Sequence, residues 1–287
     1  MIDKLKAAAI WRLDLIRHND SLLSFGERLH YTLVVKGDGR GAEKVLFPVR
    51  KDGNGDRYLA FSKAHIYFDQ DFVPRDERSF RDGIVELLKE SFLYHTPYFT
   101  PTFRPKAGDT VFDVGANLGP MTLLMYTMVG PTGRVFCFEP AVFKSLQKTL
   151  AENHMAGCEV VPKAVSDSNG QIEMRIADAS KESNIIGTDP PGGIQYETRK
   201  VEMVTLDDFV QSRGLDRVDF ITMDIEGAEE LALRGARQTL ERFHPKLSIA
   251  SYHLDRQGEP QHPKLVRLLK EMGYDVEEKG SIHILAH

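Results

Sequence analysis

From Thr110 onward, short continuous apolar runs alternate with segments whose apolar residues recur at helical spacing. Thr110 to Ala116 reads as a buried strand, followed by a glycine-rich turn and a helix that starts at Pro120. Arg134 to Phe138 is a second strand, then a helix runs to about Asn153, and Glu159 to Val165 is a third strand. A short helix covers Thr205 to Arg213, with Thr205 as N-cap and Asp208 closing a weak capping box. Val218 to Ile225, the helix Ala228 to Phe243 and Lys246 to Ser251 continue the alternation. A helix from Pro263 ends at Gly273, and Tyr274 to Glu278 with Ile282 to Ala286 form a closing hairpin through Lys279-Gly280-Ser281. Strands separated by helices predict parallel βαβ units and a doubly wound α/β sheet, whose ligands bind at the carboxyl ends of the strands.

Two stretches depart from the alternation. Residues 1–104 are expected to be an N-terminal α+β accessory or cap segment, ahead of a main domain over 105–287. Met1 to Leu15 has amphipathic helical spacing, Leu29 to Val35, Val45 to Arg50 and His65 to Phe68 read as short strands, and Arg81 to Leu93 reads as a helix. The aromatic run from Phe92 to Phe103, with Tyr94, His95, Tyr98 and Phe99, is expected to pack as core, the alternative being that it closes over a cofactor or lines an acceptor pocket. The second stretch lies between the strands Gln171 to Ile176 and Glu197 to Val204, where Lys181 to Gln195 forms a long loop rich in proline and glycine.

The sharpest chemistry is in Val111-Phe112-Asp113-Val114-Gly115-Ala116-Asn117-Leu118-Gly119-Pro120. A buried strand enters a turn with glycines four apart and then a helix, so bare backbone and helix N–H groups face a ligand. A dinucleotide fingerprint needs a third glycine that is missing here, which disfavours a nicotinamide-dependent dehydrogenase. Asp113 would repel a pyrophosphate and suits an ammonium group. A ligand of amino-acid character, such as S-adenosylmethionine, fits both features. Glu139, at the end of the second strand, is placed to accept the two hydroxyls of a ribose.

A third signal is Met223-Asp224-Ile225-Glu226-Gly227-Ala228-Glu229. If the strand continues to Glu226, its period of two sets Asp224 and Glu226 on one side. Glu229 falls in the first turn of the next helix, where an acid is favoured by the dipole, so a functional and a bland reading stand level. His253 closes the fifth strand in Ser251-Tyr252-His253-Leu254. Asp224, Glu226 and His253 are the candidates to activate a hydroxyl acceptor. The same three are adequate ligands for a divalent metal, though no metal site is assigned to them. Cys137 and Cys158 have no zinc spacing and suit buried thiols in a reducing compartment.

These stretches resemble the FkbM family of class I S-adenosylmethionine-dependent methyltransferases. Phe112-Asp113-Val114-Gly115-Ala116-Asn117-Leu118-Gly119, Phe138-Glu139-Pro140, Val161-Pro162-Lys163-Ala164-Val165-Ser166-Asp167, Thr205-Leu206-Asp207-Asp208-Phe209 and Met223 to Glu229 carry the resemblance, over roughly residues 100 to 255. It implies a Rossmann-like sheet of seven strands, mostly parallel, with the last antiparallel. It implies S-adenosylmethionine as methyl donor, and O-methylation of a hydroxyl on a sugar or natural product. Asp113, Gly115, Ala116, Asn117 and Gly119 would surround the methionine portion, and Glu139 would hold the ribose. Pro140, Lys163 and Ala164 would border the adenine, with Asp224 beside the sulfonium. Pro120 departs from the pattern, because it removes a backbone N–H from the ligand-facing turn. The alternative from another class is a non-catalytic S-adenosylmethionine-binding or scaffolding protein on the same fold.

Composition narrows the partners. The 287 residues carry a net charge of −5, which makes a small-molecule acceptor a better expectation than nucleic acid. No run of about 18 apolar residues is present, so no membrane span is expected. With no secretory signal in view, a cytoplasmic protein is expected. A homo-oligomer is left open.

Overall fold

The computed structural model describes residues 49–60, 64–68, 98–100, 102–177, 184–185 and 196–287. The expected helices over Met1 to Leu15 and Arg81 to Leu93, the strand Leu29 to Val35, residues 92–97 of the aromatic run and most of the Lys181 to Gln195 loop lie outside them.

Seven strands form the central sheet: β4 (Thr110–Val114), β5 (Arg134–Phe138), β6 (Cys158–Val161), β11 (Phe220–Met223), β12 (Lys246–Ala250), β13 (Val276–Lys279) and β14 (His283–Ala286). Their order is β13-β14-β12-β11-β4-β5-β6. β4, β5, β6, β11 and β12 run parallel, and β14 is antiparallel to both β12 and β13. The doubly wound expectation and its closing hairpin are both present. The order reverses between β4 and β11, which makes the gap beyond their carboxyl ends the topological switch point.

The strands are apolar without interruption because both faces of the sheet are covered. On one face Val111, Val135, Cys137 and Phe220 pack with Leu123 and Met125 of α1 (Pro120–Val129) and Leu146 and Leu150 of α2 (Phe143–Glu152). On the other, Phe112, Phe136, Phe138 and Ile221 meet α3 (Leu206–Ser212), α4 (Glu229–Arg234), α5 (Arg237–Phe243) and α6 (His262–Glu271). Phe209 of α3 sits edge-on to Phe112, Phe136 and Phe138, with ring centroids 5.8, 5.3 and 4.9 Å away. Thr205 caps α3 as expected, its hydroxyl accepting from Asp208 N at 3.1 Å.

Two predicted elements are broken. The strand expected over Glu159 to Val165 ends at Val161, because Pro162 supplies no N–H to a ladder and Lys163 N turns back to Val161 O at 2.8 Å. The chain resumes as β7 (Ala164–Val165), which joins β8 (Gly170–Ala177), β9 (Asn184–Ile185) and β10 (Tyr196–Val204) in a separate sheet ordered β7-β10-β8-β9. The helix expected over Ala228 to Phe243 divides into α4 and α5 at Gly235. A β-carbon there would lie 2.1 Å from Ser166 O, and Gly235 O accepts from Asp207 N at 3.1 Å, so tertiary contacts hold the break.

At the front of the chain, β1 (Val49–Lys51), β2 (Arg57–Ala60) and β3 (His65–Phe68) form an antiparallel sheet that docks on α2. Asn153 accepts from His65 N at 2.8 Å and donates to His65 O at 2.6 Å, while Thr149 Oγ1 accepts from Tyr67 N at 3.0 Å. Lys148 pairs with both Asp52 and Asp56. Residues 98–100 lie over β12, where Ser248 Oγ donates to Tyr98 O at 2.8 Å.

Candidate functional site

The turn after β4 is shaped by intramolecular contacts. Gly115 has φ +90°, and a β-carbon on it would fall 1.9 Å from the carbonyl oxygen of Asp224. Gly119, at φ +91°, leaves room for Leu146 Cδ1, which would lie 2.6 Å from an added β-carbon. Both glycines therefore admit other parts of the protein, β11's end and α2. Gly115 N and Ala116 N donate to Phe138 O at 3.0 and 3.1 Å, which ties the turn to the end of β5. Asn117 is exposed with φ +49°.

Asp113 is 3% exposed. Its Oδ2 accepts from Thr122 Oγ1 at 2.5 Å and its Oδ1 from Thr222 Oγ1 at 2.9 Å. Burial pushes its carboxyl up to about 6, against the two threonine bonds that favour the charged form. The acid expected to face an ammonium group thus bridges α1 and β11 beneath the turn. Neither threonine was distinguished by local sequence, since the contact with Thr222 spans 109 positions.

Glu139 follows β5 and is held by backbone donors on both sides. Ala141 N and Val142 N bond its Oε1 at 2.7 and 3.0 Å, and Asn117 N bonds its Oε2 at 3.0 Å. Burial nonetheless raises its pKa. Pro140 stands beside it, half-buried. Lys163 and Ala164 engage the small sheet: Lys163 Nζ reaches Glu202 at 2.9 Å, and Ala164 is buried with Met174 and Val201.

The third group gathers beyond β11 and β12. The strand stops at Met223, so Asp224 and Glu226 do not share a strand face; a turn brings them together instead. Glu226 and Gly227 both have positive φ, +52° and +102°, and Glu229 caps the turn from within. Its Oε1 accepts from Ile225 N at 3.0 Å, and its Oε2 accepts from Gly227 N at 3.1 Å and Gln261 Nε2 at 2.6 Å. His253 Nδ1 donates to Glu229 Oε1 at 3.0 Å. Its Nε2 lies 3.2 Å from Glu226 Oε2 and 3.5 Å from Asp224 Oδ1 without completing a hydrogen bond to either. Tyr98 OH donates to Asp224 Oδ2 at 2.5 Å.

This cluster has a definite charge order. Burial alone would lower the His253 pKa, but Glu226, Glu229 and the charge of Asp224 outweigh it and raise it to about 11. Burial disfavours the Glu229 anion as well, yet the bond from His253 and the backbone donors hold its carboxyl below the usual range. Asp224 is raised, by burial first and then by the neighbouring carboxylate of Glu226. All three sequence-predicted candidates meet here, and the structure adds Glu229, Tyr98 and Gln261. Glu229 had a sequence signal in its place three residues after Glu226, and Tyr98 had one in an aromatic run that could line an acceptor pocket; Gln261 had none that separated it from surface residues.

A parallel sheet of this order, with its crevice at the β4/β11 switch point, defines a Rossmann-like protein of the class I methyltransferase type. The chain belongs to the FkbM methyltransferase family: the model of the methyltransferase FkbM domain matches residues 113–276, more than half its length. It is 29% identical over 157 residues to the 2-O-methyltransferase NoeI of Sinorhizobium fredii, covering 48% of this chain and 61% of that protein. It is also 29% identical over 182 residues to the 31-O-demethyl-FK506 methyltransferase FkbM of Streptomyces tacrolimicus, covering 53% and 69%. Among solved structures, a methyltransferase FkbM from Methylobacillus flagellatus KT aligns with a TM-score of 0.47 at 20% identity, over 74% of this chain and 55% of that one. Among the described residues, no helix is long and apolar enough to cross a membrane.

Proposed function

We propose that the chain transfers the methyl group of S-adenosylmethionine to a hydroxyl of a small molecule. The observation that carries this reading is the contact of Gly115 with the Asp224 carbonyl. It sets the cofactor turn directly against the cluster of Asp224, Glu226 and His253. Both curated relatives named above are designated for methylation at oxygen, which supports an oxygen acceptor.

In this reading Asn117 and the Gly115–Gly119 turn receive the methionine portion, and Glu139 receives the ribose hydroxyls. Its three backbone partners fix the carboxylate in advance, so little ordering is left for binding. Asp113 acts from below, by its charge and by holding the turn, and Pro140 borders the adenine. Asp224, Glu226 and His253 face the acceptor. The acceptor oxygen forms a bond to the methyl carbon as the carbon–sulfur bond breaks; the products are a methyl ether, S-adenosylhomocysteine and a proton. Because the carbon is already activated, positioning does most of the work, up to about 7–11 kcal/mol in well-oriented cases. Residues 1–104 serve as the accessory segment, acting in the cytoplasm together with the 105–287 domain.

Calorimetry with S-adenosylhomocysteine, followed by transfer of labelled methyl to a panel of hydroxylated small molecules, tests this. Saturable binding with label recovered in an ether supports it. Absence of cofactor binding refutes it, and binding without any turnover favours the scaffolding reading.

A further inference from the structure

We propose that Asp224, Glu226 and His253 form a site for a divalent cation of the Mg²⁺ or Mn²⁺ class, with Glu229 and Tyr98 orienting the ligands. His253 is 8% exposed, and its Nε2 is a buried nitrogen with no hydrogen-bond partner. Asp224 Oδ1 is likewise buried and unpartnered, and it faces that nitrogen across 3.5 Å. Glu226 Oε2 approaches the same nitrogen at 3.2 Å. Two donors each about 2.0–2.2 Å from one cation, at angles between octahedral and tetrahedral, stand about 3–3.5 Å apart. Both separations from Nε2 fall in that range. Asp224, Glu229 and His253 each offer a ligand-capable atom within 4.8 Å of the others, and Glu226 enters the site through its own approach to Nε2.

The surrounding bonds are those that aim ligands. The other ring nitrogen of His253 is taken by Glu229, whose own oxygens are occupied by Ile225 N, Gly227 N and Gln261, leaving it as an outer carboxylate. A carboxylate on the far side of an imidazole fixes the ring and points its other nitrogen at a metal, and a cation arriving there would displace the proton that the surrounding carboxylates hold on that nitrogen. Tyr98 holds the second oxygen of Asp224 in the same manner. Three carboxylates around one imidazole also leave an excess of negative charge for a cation to balance. Two carboxylate oxygens and one nitrogen suit a hard-to-borderline ion that keeps open positions. Asp224 and Glu226 are the open side of the cluster, at 28% and 30% side-chain exposure, so water or an acceptor oxygen can complete the shell.

The role in catalysis rests on the methyl-transfer reading. A cation there would bind the acceptor hydroxyl and ease loss of its proton to solvent, as the oxygen displaces S-adenosylhomocysteine from the methyl carbon.

Mn²⁺ titrated into the full chain, with free ion followed by electron paramagnetic resonance, tests the site. One ion per chain, displaced by excess Mg²⁺, is expected. Glu229→Gln should weaken binding about 10–100-fold, and His253→Ala and Glu226→Gln should each weaken it at least about tenfold. Glu226→Gln, at a partly exposed side chain, keeps the test valid if His253→Ala fails to fold. An unchanged free-ion signal at millimolar Mn²⁺ overturns the proposal, as does equal affinity in a folded Glu226→Gln or His253→Ala chain. S-adenosylhomocysteine calorimetry on the unsubstituted protein separates the two failures. Cofactor binding without Mn²⁺ overturns only the cation site, and Mn²⁺ binding without cofactor overturns only the methyl-transfer reading.

Discussion

The carbonyl oxygen of Asp224 occupies the volume that a side chain on Gly115 would need, 1.9 Å from where its β-carbon would stand. The tight turn after β4 and the acidic turn after β11 are thereby one unit. Asp224 N donates to Val114 O at 2.9 Å and completes the join.

Gly115→Ala should be strongly destabilising, because the clash is with backbone and φ is +90°. A loss on the order of 3 kcal/mol is expected from overpacking together with left-handed strain. Gly214→Ala is the control, since φ is +59° there but the space is open, and its cost should be about 1–2 kcal/mol. Urea denaturation of both variants measures the difference, and equal midpoints would contradict the close approach.

Asp113 links stability to pH. Its folded pKa of about 6 exceeds the ordinary 3.8, so between these values the folded chain keeps a proton that the unfolded chain has lost. Its contribution to stability is therefore greatest below pH 4 and falls as pH rises through about 6. The total decrease is at most about 3 kcal/mol. Asp113→Asn keeps an oxygen and an amide for Thr122 and Thr222 but removes the buried charge. The variant should lose this pH dependence and match or exceed the parent's melting temperature at pH 7. Its affinity for S-adenosylhomocysteine should fall if the charge serves the ammonium group.

Glu139→Gln preserves shape but replaces one of the acceptors of Ala141 N, Val142 N and Asn117 N with an amide donor. Hydrogen bonds to a charged group contribute about 1.5–3 kcal/mol, so cofactor affinity should drop about 10–100-fold. Calorimetry reads this directly; an unchanged dissociation constant would remove Glu139 from the ribose site.

Asn153 joins α2 to β3 through bonds to both His65 N and His65 O. Asn153→Ala should cost about 1–3 kcal/mol by leaving those groups unpaired. Hydrogen exchange at residues 65–68 should quicken more than in β4 or β11. Uniform acceleration would show that the front sheet is not separately anchored.

Much of the architecture was legible along the chain. β4, β5, β11 and β12 are apolar runs because they are buried on both faces, and the closing hairpin was marked by Gly280. Thr205 revealed a helix start because capping is local chemistry. Asp113, Glu139, Asp224, Glu226 and His253 stood out because acidic and imidazole groups at strand ends are costly unless they have partners. The two errors of continuity arose where local pattern met a long-range demand: Pro162 diverts the chain into a second sheet, and Gly235 yields to Ser166 O.

Local periodicity and turn chemistry determined which segments are strands and helices, and hence the doubly wound class, because they depend on neighbours a few residues away. Tertiary structure alone decided who meets whom at the site. It gave Gly115 to Asp224, Asp113 to Thr222, and His253 to Glu229. These contacts join segments 24 to 109 positions apart, and only the stacking of β12, β11 and β4 brings their ends within bonding distance.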